Sequence, residues 1–339
     1  MTNQRILFAL LAASVASAAL GWGWQRSAHP LNKRLSPSSA QAIVQLQGLD
    51  VPSPSVQGSA ALPLQLVPGT KIFTVPVMLG GVQKQFLLDT GASTSLVAPE
   101  TVQQLQLRGI PIPQERLGLA VAGDDCPDLR ATLHTLPTLS MQGVQVQGLS
   151  ALNFNSTVIP KQLAGVLGMD MLRFFDMQLH PQQRALYLSP ASPLPTEWQP
   201  HAVPLTKKLG VMLVRIEVNG QGPFTFLLDT GAGSTFISQE VARRAQVAAV
   251  QPNQVLGFCG LEEAAQAKLN SVKMHRFQQD DLDAIILSSS SILSVLEVDG
   301  ILGQNFLNQY QQYWRFTKGQ SAQGPFDGSL ILVPLPSRE

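Results

Sequence analysis

The heptapeptide Phe-Leu-Leu-Asp-Thr-Gly-Ala occurs twice in this chain, at Phe86–Ala92 and, unchanged, at Phe226–Ala232. Its aspartates, Asp89 and Asp229, stand 140 positions apart (229 minus 89). The flanks repeat as well. Val75–Ala92 (VPVMLGGVQKQFLLDTGA) and Arg215–Ala232 (RIEVNGQGPFTFLLDTGA) each read as a strand, a Gly-containing turn and a second strand that ends in the aspartate. Each copy then continues into a short helix, APETVQQLQL with Pro99 at its first position and SQEVARRAQV with Ser238 as its N-cap. Further on, Ala164–Phe175 (AGVLGMDMLRFF) matches Asp299–Tyr310 (DGILGQNFLNQY), and a closing hairpin follows each. A lone tripeptide could coincide by chance. A heptapeptide with further elements in the same order is a duplication, so two similar halves are expected.

A chain of 339 residues can give each half its own core. With 27 glycines, 24 prolines and only 6% aromatics, short strands and turns are expected, hence a mostly β body. The formal net charge is +1 and there is no Lys/Arg stripe, so no nucleic-acid partner is expected. The five histidines are scattered without metal-ligand spacing and there is no CxxC, so neither a metal nor another cofactor is expected.

Residues 1–24 carry Arg5, an apolar run from Ile6 to Leu20 and a small-x-small site at Ala16-Ser17-Ala18. That reads as a signal peptide or, since residues 6–24 approach the roughly 20 residues needed to span a bilayer, as an N-terminal membrane anchor. Either way the folded body is expected outside the cytoplasm, exported or anchored. Residues 25–63, rich in Ser, Pro, Gln and Ala, read as a flexible linker. The lobes are expected at 64–190 and 204–339, joined by a Pro-rich linker over 191–203.

The repeat also carries the chemistry. A carboxylate at the end of an apolar strand is costly to bury alone. Gly91 and Gly231 allow a tight turn after each aspartate and a close approach of backbone N–H groups. If the halves pack about a pseudo-twofold axis, the two carboxyls meet and share one proton. The ionised member can take a proton from water, and the protonated member can donate to an amide carbonyl. No nucleophilic side chain or metal is needed.

Two Asp-Thr-Gly-Ala turns, each followed by a hydrophobic-hydrophobic-Gly element (Val166-Leu167-Gly168 and Ile301-Leu302-Gly303), resemble the aspartic proteases over about residues 65–337. Short lobes, with Ala92 and Ala232 after the glycines, make the resemblance retropepsin-like, in a fused single-chain form. It implies a mostly β fold of two homologous retropepsin-like (acid protease) β-barrel lobes related by a pseudo-twofold axis, with short helices. It further implies an endopeptidase with catalytic Asp89 and Asp229, acting on polypeptide substrate as a monomeric, intramolecular pseudo-dimer. Thr90 and Thr230 would cross-link the two loops, and Gly168 and Gly303 would support them from beneath. Two departures stand out. Ser93 faces Gly233 in the other copy, which suggests an extra donor for Asp89, and Met169 and Gln304 stand where retroviral enzymes often have arginine.

The resemblance also implies a flap from each lobe, at Leu119–Ala131 with Gly123 and Cys126 and at Val255–Ala267 with Gly257 and Cys259. A Cys126–Cys259 disulfide joining the flaps and two unpaired thiols are both open. An inactive peptide-binding module of the same fold is the alternative to the enzyme.

Overall fold

Each half is organised around the hairpin that carries its aspartate. Phe73–Leu79 pairs antiparallel with Val82–Leu88, and Val211–Val218 with Gln221–Leu228. The two-residue turns are Gly80-Gly81 and Asn219-Gly220, all four with positive φ (60°, 80°, 50° and 73°). A two-residue loop with both centres in the left-handed region matches the twist of the flanking strands, which is why glycine and asparagine stand there. In a computed structural model, residues 35–36, 42–46, 48–121, 129–155, 159–257, 260–288, 291–321 and 324–336 are described. All of these fall in one unit, Lys33–Glu339.

The strand leading to each aspartate is buried at its end, with Phe86, Leu87 and Leu88, like Phe226, Leu227 and Leu228, almost wholly covered. A short strand inserts beside it. Gly165–Leu167 runs parallel to Phe86–Leu88 and antiparallel to Leu96–Val97, so it bridges the chain entering the turn and the chain leaving it. Gly300–Leu302 does the same between Phe226–Leu228 and Phe236–Ile237. A methyl group on Gly165 would lie 2.2 Å from the Leu96 carbonyl oxygen, and one on Gly300 2.4 Å from that of Phe236. Close backbone approach therefore fixes the first glycine of both G-hydrophobic-L-G elements.

The closing hairpins join the halves. Phe175–His180 lies between its own partner Ala185–Pro190 and Tyr310–Arg315 of the second half. Gly328–Pro334 and Val203–Lys208 continue that sheet on the far side. Each half covers an open strand edge of the other. The molecule is thus mostly β and two-lobed, with only short helices such as Pro99–Gln104 and Gln239–Arg244. Ser238 caps the latter, its hydroxyl accepting from the Val241 amide at 3.2 Å.

The expectation of a flexible linker over 25–63 is corrected for its described part. Ala60–Pro63 adds to the shared sheet beside Ala185–Leu188, and Ser55–Gln57 pairs with Gln145–Gln147. The reason is alternation: Ala60, Leu62 and Leu64 point into the core while the residues between them are exposed. Such a strand needs a partner edge from far along the chain, and the closing hairpin supplies one. Likewise the 191–203 linker is structured, with a 3-10 turn at Thr196–His201 and Val203 already in strand. Among the described residues no helix is long and apolar enough to cross a membrane; residues 1–24 lie outside them.

Candidate active site

Backbone pairing delivers both aspartates to one place. The Asp89 amide donates to the Leu167 carbonyl and the Asp229 amide to that of Leu302, each at 3.1 Å. Immediately afterwards each chain turns back on its own carboxylate. Gly91 N–H donates to Asp89 Oδ1 at 2.8 Å, and Gly231 N–H donates to Asp229 Oδ1 at 2.6 Å. Both aspartates are fully buried. The turns also touch each other. A methyl group on Gly91 would lie 2.4 Å from Asp229 Cγ, and one on Gly231 2.4 Å from Asp89 Cγ. Each glycine leaves the space in which the opposite carboxyl sits.

Four further bonds lock the two loops together. Thr90 Oγ1 accepts from the Thr230 amide at 3.1 Å and donates to the Leu228 carbonyl at 3.0 Å. Thr230 Oγ1 accepts from the Thr90 amide at 3.0 Å and donates to the Leu88 carbonyl at 2.9 Å. The reciprocity is that of a twofold contact. Valine keeps the shape of threonine but neither accepts nor donates, so Thr90→Val leaves a buried amide and a buried carbonyl unpaired. The expected loss, read by urea denaturation, is about 2–4 kcal/mol, whereas Thr90→Ser retains most of the stability.

Burial raises both carboxyl pKa values. For Asp229, which is pushed well above the ordinary carboxylate range, the second cause is the charge of Asp89 beside it. Asp89 is raised less, since burial is opposed by hydrogen bonds from Asp229 and from the Gly91 and Ala92 amides. Two facing carboxyls in this setting hold one proton between them over a wide pH interval.

The Ser93 hydroxyl is engaged elsewhere than expected. It accepts from the Val44 amide at 2.8 Å and donates to the Val44 carbonyl at 3.3 Å. The backbone donors at Asp89 are Gly91 and Ala92, mirrored at Asp229 by Gly231 and Ala232. The peptide group of Val44 is thus a partner of the Ser93 hydroxyl on both its donor and its acceptor side.

Beneath the loops, Gly168 and Gly303 face the chain just after each turn. A methyl on Gly168 would lie 2.9 Å from the Ala92 carbonyl oxygen, and one on Gly303 2.7 Å from that of Ala232. Those carbonyls accept from the next residues' amides, Met169 at 2.8 Å and Gln304 at 2.7 Å. Of the flap residues, Gly257 ends the strand Ala249–Gly257 and pairs with Gly260, while Gly123, Cys126 and Cys259 lie outside the described residues. No cluster of three or more potential metal ligands occurs among the described residues.

Two family models match, one in each lobe. Residues 75–171 match the aspartyl protease model, and residues 214–309 match that of the gag-polyprotein aspartyl protease. Each half of the chain therefore carries an aspartyl protease domain. Similar solved structures include a retropepsin-like aspartic protease from Rickettsia conorii, at 16% identity over 38% of this chain and 86% of that one, with a TM-score of 0.27. Another is basic 7S globulin from soybean, at 14% identity over 82% of this chain and 96% of that one, with a TM-score of 0.44. The comparison with curated proteins finds no match.

The support around the two aspartates includes residues that the sequence patterns do not mark. Asp170 accepts from the Ser95 amide at 2.9 Å and from its hydroxyl at 2.7 Å, and Ser95 Oγ accepts from Gly168 N–H at 3.0 Å. Burial of the Asp170 carboxyl raises its pKa to about 6. The equivalent pair in the second lobe is neutral: Thr235 Oγ1 donates to Asn305 Oδ1 at 2.8 Å, and Asn305 Nδ2 donates to the Asp283 carbonyl at 2.6 Å. A signal exists in the sequence, since Asp170 and Asn305 both stand two residues after the supporting glycine. Without arginine at 169 or 304, the lobes are pinned elsewhere. Arg315 Nη1 donates to Asp176 Oδ2 at 2.8 Å across the shared sheet, with only 12% and 5% of the two side chains exposed. Ser192 donates to the same oxygen at 2.6 Å, and the Arg315 guanidinium lies 5.3 Å from the centre of the Trp198 ring.

Proposed function

We propose that the chain is an aspartic endopeptidase in which Asp89 and Asp229 activate one water molecule between them. The ionised carboxylate acts as general base, drawing a proton from water as its oxygen attacks the amide carbon. The protonated carboxyl donates to the carbonyl oxygen, and the proton then returns towards the leaving nitrogen. The observation that carries this reading is the mutual placement of the two turns, each glycine holding space for the opposite buried carboxyl. A module that only bound peptide would gain nothing from two carboxyls that repel each other in a dry site. The apolar start at residues 6–24 supports placing the enzyme outside the cytoplasm, exported or tethered.

The test is incubation of the full chain with a denatured protein or a peptide library, beside Asp89→Asn and Asp229→Asn. Cleavage by the parent alone supports the enzyme; equal peptide binding by all three with no products supports a binding module.

The pH dependence follows from the raised carboxyls. The competent form has one ionised and one protonated member, so activity grows as pH rises through the first titration of the pair. With Asp89 raised to about 6 and Asp229 pushed well above the ordinary carboxylate range, kcat/KM is expected to be half-maximal at about pH 6, to peak above it, and to decline again as the second proton leaves. A profile of kcat/KM from pH 2 to 9 checks this; a maximum near pH 2 overturns it.

A further inference from the structure

The chain's N-terminal segment runs along the site. Ala42–Leu46 pairs antiparallel with Leu117–Val121, the strand that leads into the first flap region, in the register Leu46 to Leu117 through Ala42 to Val121. On its other edge the amide and carbonyl of Val44 both bond Ser93, four residues past the catalytic Asp89. In an antiparallel ladder alternate residues bond opposite edges, so Val44 serves Ser93 while Ile43 and Gln45 serve the flap strand. The Val44 side chain is 4% exposed and packs in an apolar cluster with Ile72, Leu87, Ala92 and Leu129. Upstream, Leu35–Ser36 pairs parallel with Gln254–Val255, in the hairpin of the second flap region. One stretch of chain therefore bonds the flap strands of both lobes and the rim of the catalytic loop. That is how a cleft of this kind would hold an extended peptide, by main-chain pairing on both edges with a pocket for alternate side chains.

We propose that Ala42–Leu46 is a built-in occupant of the peptide channel, which holds the enzyme in a self-blocked state until the segment is displaced. This rests on the endopeptidase reading for its effect on rate, but the occupancy itself does not. A substrate must compete with a tethered strand, so the apparent affinity falls by the fraction of molecules in which the channel is open. Release raises activity by lowering KM, and leaves kcat unchanged because the dyad is not altered.

Two full-chain variants weaken the strand by different means. Val44→Asp places a charge in an apolar pocket, and Gln45→Pro removes an amide that pairs with the flap strand. Amide hydrogen exchange is measured in an Asp229→Asn background, so that cleavage cannot confuse the result. Either change is expected to speed exchange at Leu117–Val121 by about tenfold while Val203–Lys208 stays protected, which reports an intact fold. A synthetic peptide of residues 35–46, added to the Val44→Asp chain, restores the protection. With Asp229 present, the same changes lower KM for a fluorogenic peptide about tenfold at constant kcat. Unchanged exchange at 117–121 in both variants overturns the proposal, as does faster exchange with no change in KM. Restored protection by the peptide, with no hydrolysis by any form, upholds the occupied channel and overturns the endopeptidase reading instead.

Discussion

Asp229→Asn is expected to make the protein more stable at pH 7 and at least about a thousandfold less active, the scale of loss when one member of an acid–base pair is removed. The two effects share one cause. Folding holds two carboxyls in a buried, mutually repelling arrangement, and both titrate above the unfolded value of 3.8. A raised acid favours the folded state when protonated; that contribution is fully present below pH 3.8 and is lost as pH rises through the raised value. The parent therefore loses stability between about pH 4 and pH 6 and above. An asparagine is a permanent stand-in for the protonated member, so the variant escapes most of that loss. For Asp89 the shift from 3.8 to about 6 corresponds to about 3 kcal/mol at neutral pH, and replacing Asp229, the more strongly raised member, is expected to recover at least that much. In a chain of this size that is several degrees, on the order of 6–12 °C, in Tm. Thermal melts of parent and variant at pH 4 and pH 7 check it: the gap is wide at pH 7 and narrow at pH 4. Asp89→Asn follows the same pattern with a smaller gain. A variant that retains activity would refute the dyad, and one that is destabilised at pH 7 would refute the repulsion.

The second large effect is steric. Gly91→Ala puts a methyl carbon 2.4 Å from Asp229 Cγ, closer than any real contact, and the atom it meets is a fully buried carboxyl held by Gly231. Neither neighbour is the free end of a flexible side chain, so the two loops must separate. The expected cost is about 3 kcal/mol, at the upper end of ordinary overpacking, with activity lost because the carboxyls no longer face one water. Gly231→Ala mirrors it, at 2.4 Å from Asp89 Cγ. The control stands two residues further on. A methyl on Gly233 meets nothing nearer than the Lys71 amide nitrogen at 3.8 Å, so Gly233→Ala is expected to fold and act within about 0.5 kcal/mol of the parent. Urea melts and initial rates on the three variants separate close approach at the dyad from a general need for glycine in these turns.

Much of the fold is legible in the amino-acid sequence, because the parts that repeat are governed by local rules. Gly80-Gly81 and Asn219-Gly220 specify tight hairpins by their backbone freedom, and Pro99 and Ser238 mark helix starts. The Asp-Thr-Gly turns are legible for the same reason. The features that sequence patterns hide are non-local. Ser55–Gln57 and Ala60–Pro63 are short strands whose partners lie more than 80 residues away, and their Ser and Pro content resembles a tether until an edge arrives to pair with them. Asp176 and Arg315, 139 positions apart, look like unrelated surface charges until the closing hairpins bring them together. Ser93 stands out in the sequence as a point of asymmetry, but its partner, Val44, lies in a stretch with no marked pattern of its own.

The reciprocal threonine bonds and the shared sheet tie two halves that are already joined by peptide bonds. An enzyme that needs two separate chains to complete its site must reach a working concentration before it acts, and dilution disarms it. Here the second half is always present at the effective concentration set by a short connection. The site therefore assembles at any dilution. The link also releases the halves from identity. A residue can change in one loop without changing in the other, as Ser93 has relative to Gly233 and Asp170 relative to Asn305. Such divergence allows the two sides of the cleft to serve different stretches of a directional, unsymmetrical peptide.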